Sequence, residues 1–432
     1  MALVLTLGFL VLLFLGAPIL AAMTVGTWVS LALYDRPTYL MAQTAFHGMN
    51  SFTLLAIPLF VLAGEIMDKG GISARLAKFV VMCVGWLPGG LGISVVISTM
   101  IFSGISGSVN ADAAAIGSVM LPMMSEAGYR KEWASCIVAA SAGTGILIPP
   151  SITMIVLGTI ANLSIKQLFL ASLLPAALIG LSKAIVIWYK ARMGWEPGHE
   201  RLTFSWRELA WATLEAIPAL IAPAIILGGI LSGIFTATEA AAVAVLYATF
   251  ISLLLYRELT WEKMKHLLVS TVRLTGVVIG LVGAASAIAY VMAYTQASND
   301  LAALATGVIS NYLLFITLLM LLFWVLGAML DGMPALVILI PLFMPIAEKA
   351  GMHPIHFAIF TLAVIGISLV TPPLGTACFV VTSLAGVEMK RLIWPMMPFL
   401  AIMFGTILIL SYVPWFSLAL PKLWGGLLIL PK

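Results

Sequence analysis

Apolar runs near residues 2–16, 18–34, 51–68, 90–104, 111–125, 133–164, 168–189, 216–234, 236–256, 275–293, 308–327, 334–347, 355–386 and 393–413 follow one another along the chain. About 20 such residues cross a bilayer as a helix. Inside lipid the backbone must satisfy its own polar groups, so only helices and closed barrels span it, and runs this long favour helices over barrel strands of about 10 residues. The chain is therefore expected to be an all-α polytopic membrane protein. Its charge content agrees. Only 9% of the 432 residues are charged and 62% are hydrophobic, with a mean hydropathy of +1.15, whereas soluble domains carry about a quarter charged residues.

The remaining composition narrows the class further. The 21 Lys and Arg sit in small groups between apolar runs, the pattern of membrane loops, so the net charge of +4 does not point to nucleic acid. Cys83, Cys136 and Cys378 show no C-x-x-C spacing, which implies neither a disulfide framework nor a zinc site. The segment Met1–Ala22 has no basic residue before Arg36 and is read as a retained helix rather than a signal peptide.

The second half of the chain repeats the first. At an offset of 223, the separation of Pro149 from Pro372, these pairs coincide: Gly104/Gly327, Pro122/Pro345, Ala127/Ala350, Gly128/Gly351, Gly143/Gly366, Pro149/Pro372, Pro150/Pro373, Thr153/Thr376 and Thr159/Thr382. All but one pair are Gly, Pro or Thr, residues that apolar composition does not inflate. The repeats are assigned to 1–189 and 216–432, joined by a polar linker at 190–215. Basic clusters at Lys69/Arg75/Lys78, Arg130/Lys131, Lys190/Arg192/Arg201/Arg207, Arg257/Lys263/Lys265/Arg273 and Lys390/Arg391 orient the loops by the positive-inside rule. They place the linker and the 130 loop in the cytoplasm and the equivalent loop at 353 outside. The copies are then inverted, the arrangement of secondary transporters.

Each repeat carries a short pair of apolar arms and a broken helix. Runs 90–104, 111–125 and 334–347 are too short to span and suit re-entrant half-helices, giving a first hairpin at about 90–125 and a second at about 308–347. The first tip, Phe102-Ser103-Gly104-Ile105-Ser106-Gly107-Ser108-Val109-Asn110-Ala111-Asp112, offers hydroxyl and carbonyl oxygens, the hard ligands of an alkali cation. A small-residue packing face would share its Gly and Ser, but not Asn110 and Asp112. Broken helices are expected at 133–164 and 355–386, because the pairs Pro149-Pro150 and Pro372-Pro373 each remove two backbone donors. Freed carbonyls there can bind a cation, and half-helix N-termini favour an anion. Asp331, at the second tip, reads either as a functional intramembrane acid or as an N-cap. Glu65 and Glu239 read as scaffold or helix-terminus contacts.

Ser106-Gly107-Ser108 through Ala113-Ala114-Ala115-Ile116-Gly117-Ser118, then Pro122, Gly128-Tyr129, Ile148-Pro149-Pro150-Ser151, Phe235-Thr236-Ala237-Thr238-Glu239-Ala240-Ala241-Ala242 and Leu369-Val370-Thr371-Pro372-Pro373 resemble the large membrane subunit of tripartite ATP-independent periplasmic (TRAP) transporters. The likeness covers essentially the whole chain. It implies an elevator-type, sodium-coupled carrier of a small organic acid such as a dicarboxylate, keto acid or sialic acid, in the bacterial inner membrane. It also implies a small four-helix membrane subunit and a periplasmic substrate-binding protein as partners, with no cofactor beyond sodium. A first sodium site would fall on Ser103, Gly104, Ser106, Ser108, Asn110, Gly143 and Thr144. A second would fall on Gly327, Asp331, Gly366, Thr371, Gly375 and Thr376. Substrate would meet Ser106, Asn110, Pro149, Pro150, Ser151 and Thr376. Where the family often has a second small residue after the hairpin Gly-Ser, this chain has Val109-Asn110.

Other readings carry less. A channel could also use broken helices. Gly104-Ile105-Ser106-Gly107 fits the G-x-S-G of intramembrane serine proteases, but that chemistry needs a histidine beside the serine, and His47, His199, His266, His353 and His356 lie in or at the edge of loops. A P-loop is absent, since no Gly-Lys dipeptide occurs.

Overall fold

The apolar runs fold as helices, and no strand occurs among the residues that the computed structural model describes, 8–9, 11–13, 15–194, 205–294 and 311–424. Eight helices among them are long and apolar enough to cross a membrane, so the protein is a multi-pass membrane protein. The first expected run, 2–16, falls mainly outside the described residues.

Helices α1 (Ile19–Leu33), α2 (Tyr39–Met49), α3 (Ala56–Lys69) and α4 (Ile72–Val84) lead into the first hairpin, α5 (Gly90–Ser106) and α6 (Val109–Glu126). The broken helix follows as α7 (Lys131–Ala142) and α8 (Ile152–Ile160), and α9 (Ile165–Arg192) closes the repeat. Then come α10 (Trp206–Ser232), α11 (Ala237–Phe250) and α12 (Trp261–Tyr294). The second hairpin is α13 (Tyr312–Met329) and α14 (Gly332–Lys349), the second broken helix α15 (Pro354–Ser368) and α16 (Thr376–Ala385), and α17 (Ile393–Tyr412) and α18 (Trp415–Trp424) end the fold.

The sequence repeat is carried by the backbone. The 223-residue offset moves Val109–Glu126 onto Gly332–Lys349 with both ends in register. The glycines that end the two second arms, Gly128 and Gly351, share a φ of +83°. Both proline pairs, Pro149-Pro150 and Pro372-Pro373, are joined by cis bonds. Equivalent positions also meet in space. A Cβ on Gly143 would lie 2.7 Å from the Gly366 carbonyl oxygen, and one on Gly366 would strike the Gly143 carbonyl. Such self-complementary contact is what a two-fold relation between copies produces.

Some elements depart from expectation. The stretch read as a linker, 190–215, is helical at both ends, with α9 reaching Arg192 and α10 starting at Trp206; residues 195–204 lie outside the described residues. The second hairpin was expected from residue 308, and its described part starts at Tyr312. Helix α12 starts at Trp261, well before the apolar run at 275, because Lys263, Lys265 and Arg273 mask its first turns from a hydropathy reading. Helix α2 was missed too; none of its residues is buried.

Helices α2, α3, α4, α10, α11 and α12 pack on one another, and α5–α9 pack with α13–α18. An apolar cluster including Ile66, Met67, Leu76, Ala219, Ala222 and Ala248 ties α3, α4, α10 and α11. Arg75 clamps the same group, with Nη1 at 2.7 Å from Glu258 Oε1 and its guanidinium 3.8 Å over the Tyr256 ring. Thr236 and Glu239 form a capping box on α11, and Ser270 Oγ donates to Glu65 Oε1 at 2.5 Å. Both acids thus hold the scaffold, as the sequence suggested.

Candidate functional site

The first tip is a two-residue turn. Gly107 adopts φ +57° and Ser108 is extended, so α6 begins at Val109 with its first amides directed at the turn. The tip rests on the second half of the broken helix, since a Cβ on Gly107 would lie 2.8 Å from the Ile152 nitrogen, and one on Gly104 3.2 Å from the Pro149 carbonyl oxygen. The second tip rests instead on the end of the first half of its own broken helix: a Cβ on Gly327 would lie 3.0 Å from Ser368 Cβ, and one on Gly332 3.0 Å from Leu369 Cδ1.

Between the tips lies a cavity of about 260 Å³ lined by Gly107, Ser108, Asn110, Thr153, Asp331 and Gly332, with Val61, Leu274 and Val278 of α3 and α12 on its far wall. Three half-helices open towards it: α6 after Ser108, α8 after Ser151 and α14 after Asp331. Their free amides and dipoles favour negative charge. Asp331 is the charged side chain on this wall, and it caps its own helix, Oδ1 accepting from the Gly332 amide at 2.9 Å. The two readings of Asp331 left open by the sequence are therefore compatible.

The expected site residues separate into distinct groups. Ser108, Asn110 and Asp331 line the cavity. Ser103 and Ser106 instead donate their hydroxyls to the two oxygens of Asp112, which is fully buried. Gly104, Pro149 and Pro150 form the seam between tip and break, and Ser151 Oγ pairs with Thr153 Oγ1. Gly143 and Gly366 meet each other. The Thr144 hydroxyl is taken by Lys183 and by the Ser141 carbonyl. Thr371 Oγ1 accepts from Trp324 Nε1 at 3.0 Å and donates to the Ile367 carbonyl, while the Gly375 amide donates to the Thr371 carbonyl at 2.8 Å. Thr376 Oγ1 and Asn110 Oδ1 are buried without a partner. Buried polar atoms are normally hydrogen-bonded; the hydroxyls of Ser98, Ser135, Ser252 and Thr275 are unpartnered as well, and of the six residues only Asn110 lines the cavity.

Two residues were missed. Asp112 entered the sequence reading only as an argument against plain packing, yet both of its oxygens organise the first tip. Lys183 is the single charge in the apolar run 168–189, the signal by which an intramembrane ion is a functional candidate. His356, read as loop-edge, lies inside α15 and is buried, its ring bonded to Ser417 Oγ at 2.7 Å and the Ser411 carbonyl at 3.1 Å. Ser106 bonds Asp112 instead of a histidine, which removes the geometry of a serine protease.

Comparison with known proteins agrees with this architecture. Residues 6–416 match the family model described as the tripartite ATP-independent periplasmic transporter, DctM component. The chain belongs to the TRAP large permease family. The permease is 34% identical over 375 residues to the 2,3-diketo-L-gulonate TRAP transporter large permease protein YiaN of Escherichia coli (strain K12), covering 87% of this chain and 88% of that one. It is 35% identical over 387 residues to the C4-dicarboxylate TRAP transporter large permease protein DctM of Pseudomonas aeruginosa, covering 90% of each. The solved YdaH transporter of Alcanivorax borkumensis shares the fold, with a TM-score of 0.65 at 15% identity over 88% of this chain and 89% of that one. The permease is thus one component of a tripartite secondary uptake system, and its relatives are transporters.

Proposed function

We propose that the permease takes up a small organic acid, a dicarboxylate or keto acid class substrate, by sodium symport through an elevator movement in the bacterial inner membrane. It works with a small four-helix membrane subunit and a periplasmic binding protein that delivers the substrate. The observation that carries this reading is the cavity where three half-helix N-termini converge beside Asp331 and the unpartnered Asn110 oxygen. Amide groups and dipoles attract a carboxylate there, while Asp331 repels it. A cation bound between them removes that repulsion, and this is a physical reason for coupling.

The residues fit an alkali cation. Ser103, Gly104, Ser106 and Asp112 present only oxygen ligands at the first tip, and Gly327 at the second tip with Gly366, Thr371, Gly375 and Thr376 at the second break do the same. Ser108, Ser151, Asn110, Thr153 and Thr376 would orient the substrate, with Pro149 and Pro150 shaping the seam beneath it. The hairpins and broken helices would move against the helices joined by the α3, α4, α10 and α11 cluster.

The test is uptake by the reconstituted tripartite system in proteoliposomes with imposed sodium, potassium or proton gradients. Saturable uptake driven by sodium and requiring the binding protein is expected. Linear, non-saturating flux without the binding protein would show a channel, and uptake indifferent to sodium would exclude the coupling ion.

A further inference from the structure

The two buried charges of the first repeat have no counterparts in the second. Asp112 corresponds to Ala335 and Lys183 to Thr406 at the offset of 223. Both charged residues are fully buried, and they contact consecutive residues of the first break. Lys183 Nζ reaches Thr144 Oγ1. On the next residue, a Cβ at Gly145 would fall against Asp112 Oδ2 and lie 2.8 Å from Ser103 Oγ. The Lys183 and Asp112 side chains therefore flank one turn of broken backbone from two sides, without pairing directly.

The ammonium also does what a bound cation would do. Its Nζ donates to the Ala140 carbonyl at 2.7 Å and the Ser141 carbonyl at 3.4 Å, oxygens at the C-terminal, negative end of a half-helix. In the second repeat the equivalent carbonyls belong to a helix that continues, since α15 runs to Ser368 while α7 stops at Ala142, the equivalent of Ile365. Lys183 replaces that missing turn. It lies nine residues before the end of α9, about 13 Å along the axis, near the middle of a hydrocarbon layer of about 30 Å. No snorkelling to water is available there, and an uncompensated buried charge costs several kcal/mol.

We propose that Lys183 is a resident counter-cation of the first broken helix, compensating Asp112 when no coupling ion is bound and competing with sodium for the same electronegative pocket. This rests on the sodium-coupled reading above. A carrier with a lone buried carboxylate would be trapped when empty; a tethered ammonium lets the empty form remain neutral while still yielding to an ion.

The experiment is thermal unfolding of the purified full-length permease, titrated with sodium chloride against potassium chloride at constant ionic strength. Lys183→Gln should shift the sodium midpoint about tenfold lower, within the usual range of couplings between sites. Lys183→Arg should stay close to wild type, and Asp112→Asn/Lys183→Gln should lose the shift. An unchanged midpoint in Lys183→Gln overturns the proposal. If Lys183→Gln does not fold, recovery of folding in the double variant supports compensation, and failure of both makes Lys183 a packing staple and overturns it. If sodium does not stabilise the wild type, the sodium reading fails by itself. Compensation is then decided in potassium alone, where the double variant should be more stable than Lys183→Gln, and no gain overturns it.

Discussion

Asn110 and Gly143 show how differently two small polar-segment residues act. The Asn110 oxygen has no partner to lose, so Asn110→Ala strands no buried group, and its stability should stay within about 1 kcal/mol of wild type. Uptake should nevertheless fall about tenfold or more if this oxygen accepts from a substrate hydroxyl or ligates the coupling cation; parallel transport and melting measurements separate the two effects. Gly143 is under the opposite constraint. Its Cβ would crowd the Gly366 carbonyl at 2.7 Å, so Gly143→Ala should cost about 1–3 kcal/mol by overpacking. Gly405→Ala, with nothing within 4 Å, should cost little in the same melts. Asn110 and Gly143 were both legible in the sequence as residues of interest. That Gly143 meets its own repeat mate was not, because the contact joins positions far apart in the chain.

Among the elements, three of the four hairpin arms end on a glycine with positive φ, Gly107, Gly128 and Gly351, while α13 ends on Leu330 in extended backbone. Gly107 and Gly351 both have positive φ, at +57° and +83°, but Gly351 faces open space while Gly107 presses on Ile152. Gly351→Asn should therefore cost only about 1 kcal/mol, the left-handed penalty that Asn softens, whereas Gly107→Asn should displace the tip and lower the melting temperature far more. Equal losses in the two variants would show that space at the tip does not matter. His356 ties α15 to the end of α17 and to α18 through Ser411 and Ser417. His356→Ala should cost about 1–3 kcal/mol by leaving those groups unpaired, measured as a loss of thermal stability in detergent. The hairpins and breaks were readable because Gly and Pro announce where a helix cannot continue. Helix α2 and the first turns of α12 were not, because exposed or charged helical turns lack an apolar run.

For the whole molecule, the repeat and the placement of basic loops predict two copies of opposite orientation, and this can be tested by labelling. In a cysteine-free background, Arg130→Cys and His353→Cys occupy equivalent helix starts and should react with a membrane-impermeant thiol reagent from opposite sides, 130 from the cytoplasm. Labelling of both from one side would make the copies parallel. The sequence by itself determined that the chain spans the membrane as helices, since lipid offers the backbone no other partner. It also determined that two copies of one hairpin and one broken helix recur, since Gly and Pro impose those breaks locally. Only the tertiary structure decided which polar groups meet: Asp112 with Ser103 and Ser106, Lys183 with the carbonyls of α7, and Asn110 with the cavity. The first depends on how the hairpin turn at Gly107 folds its two arms together, the others on helices farther apart in the chain packing side by side, and burial at membrane depth makes every unpaired charge costly.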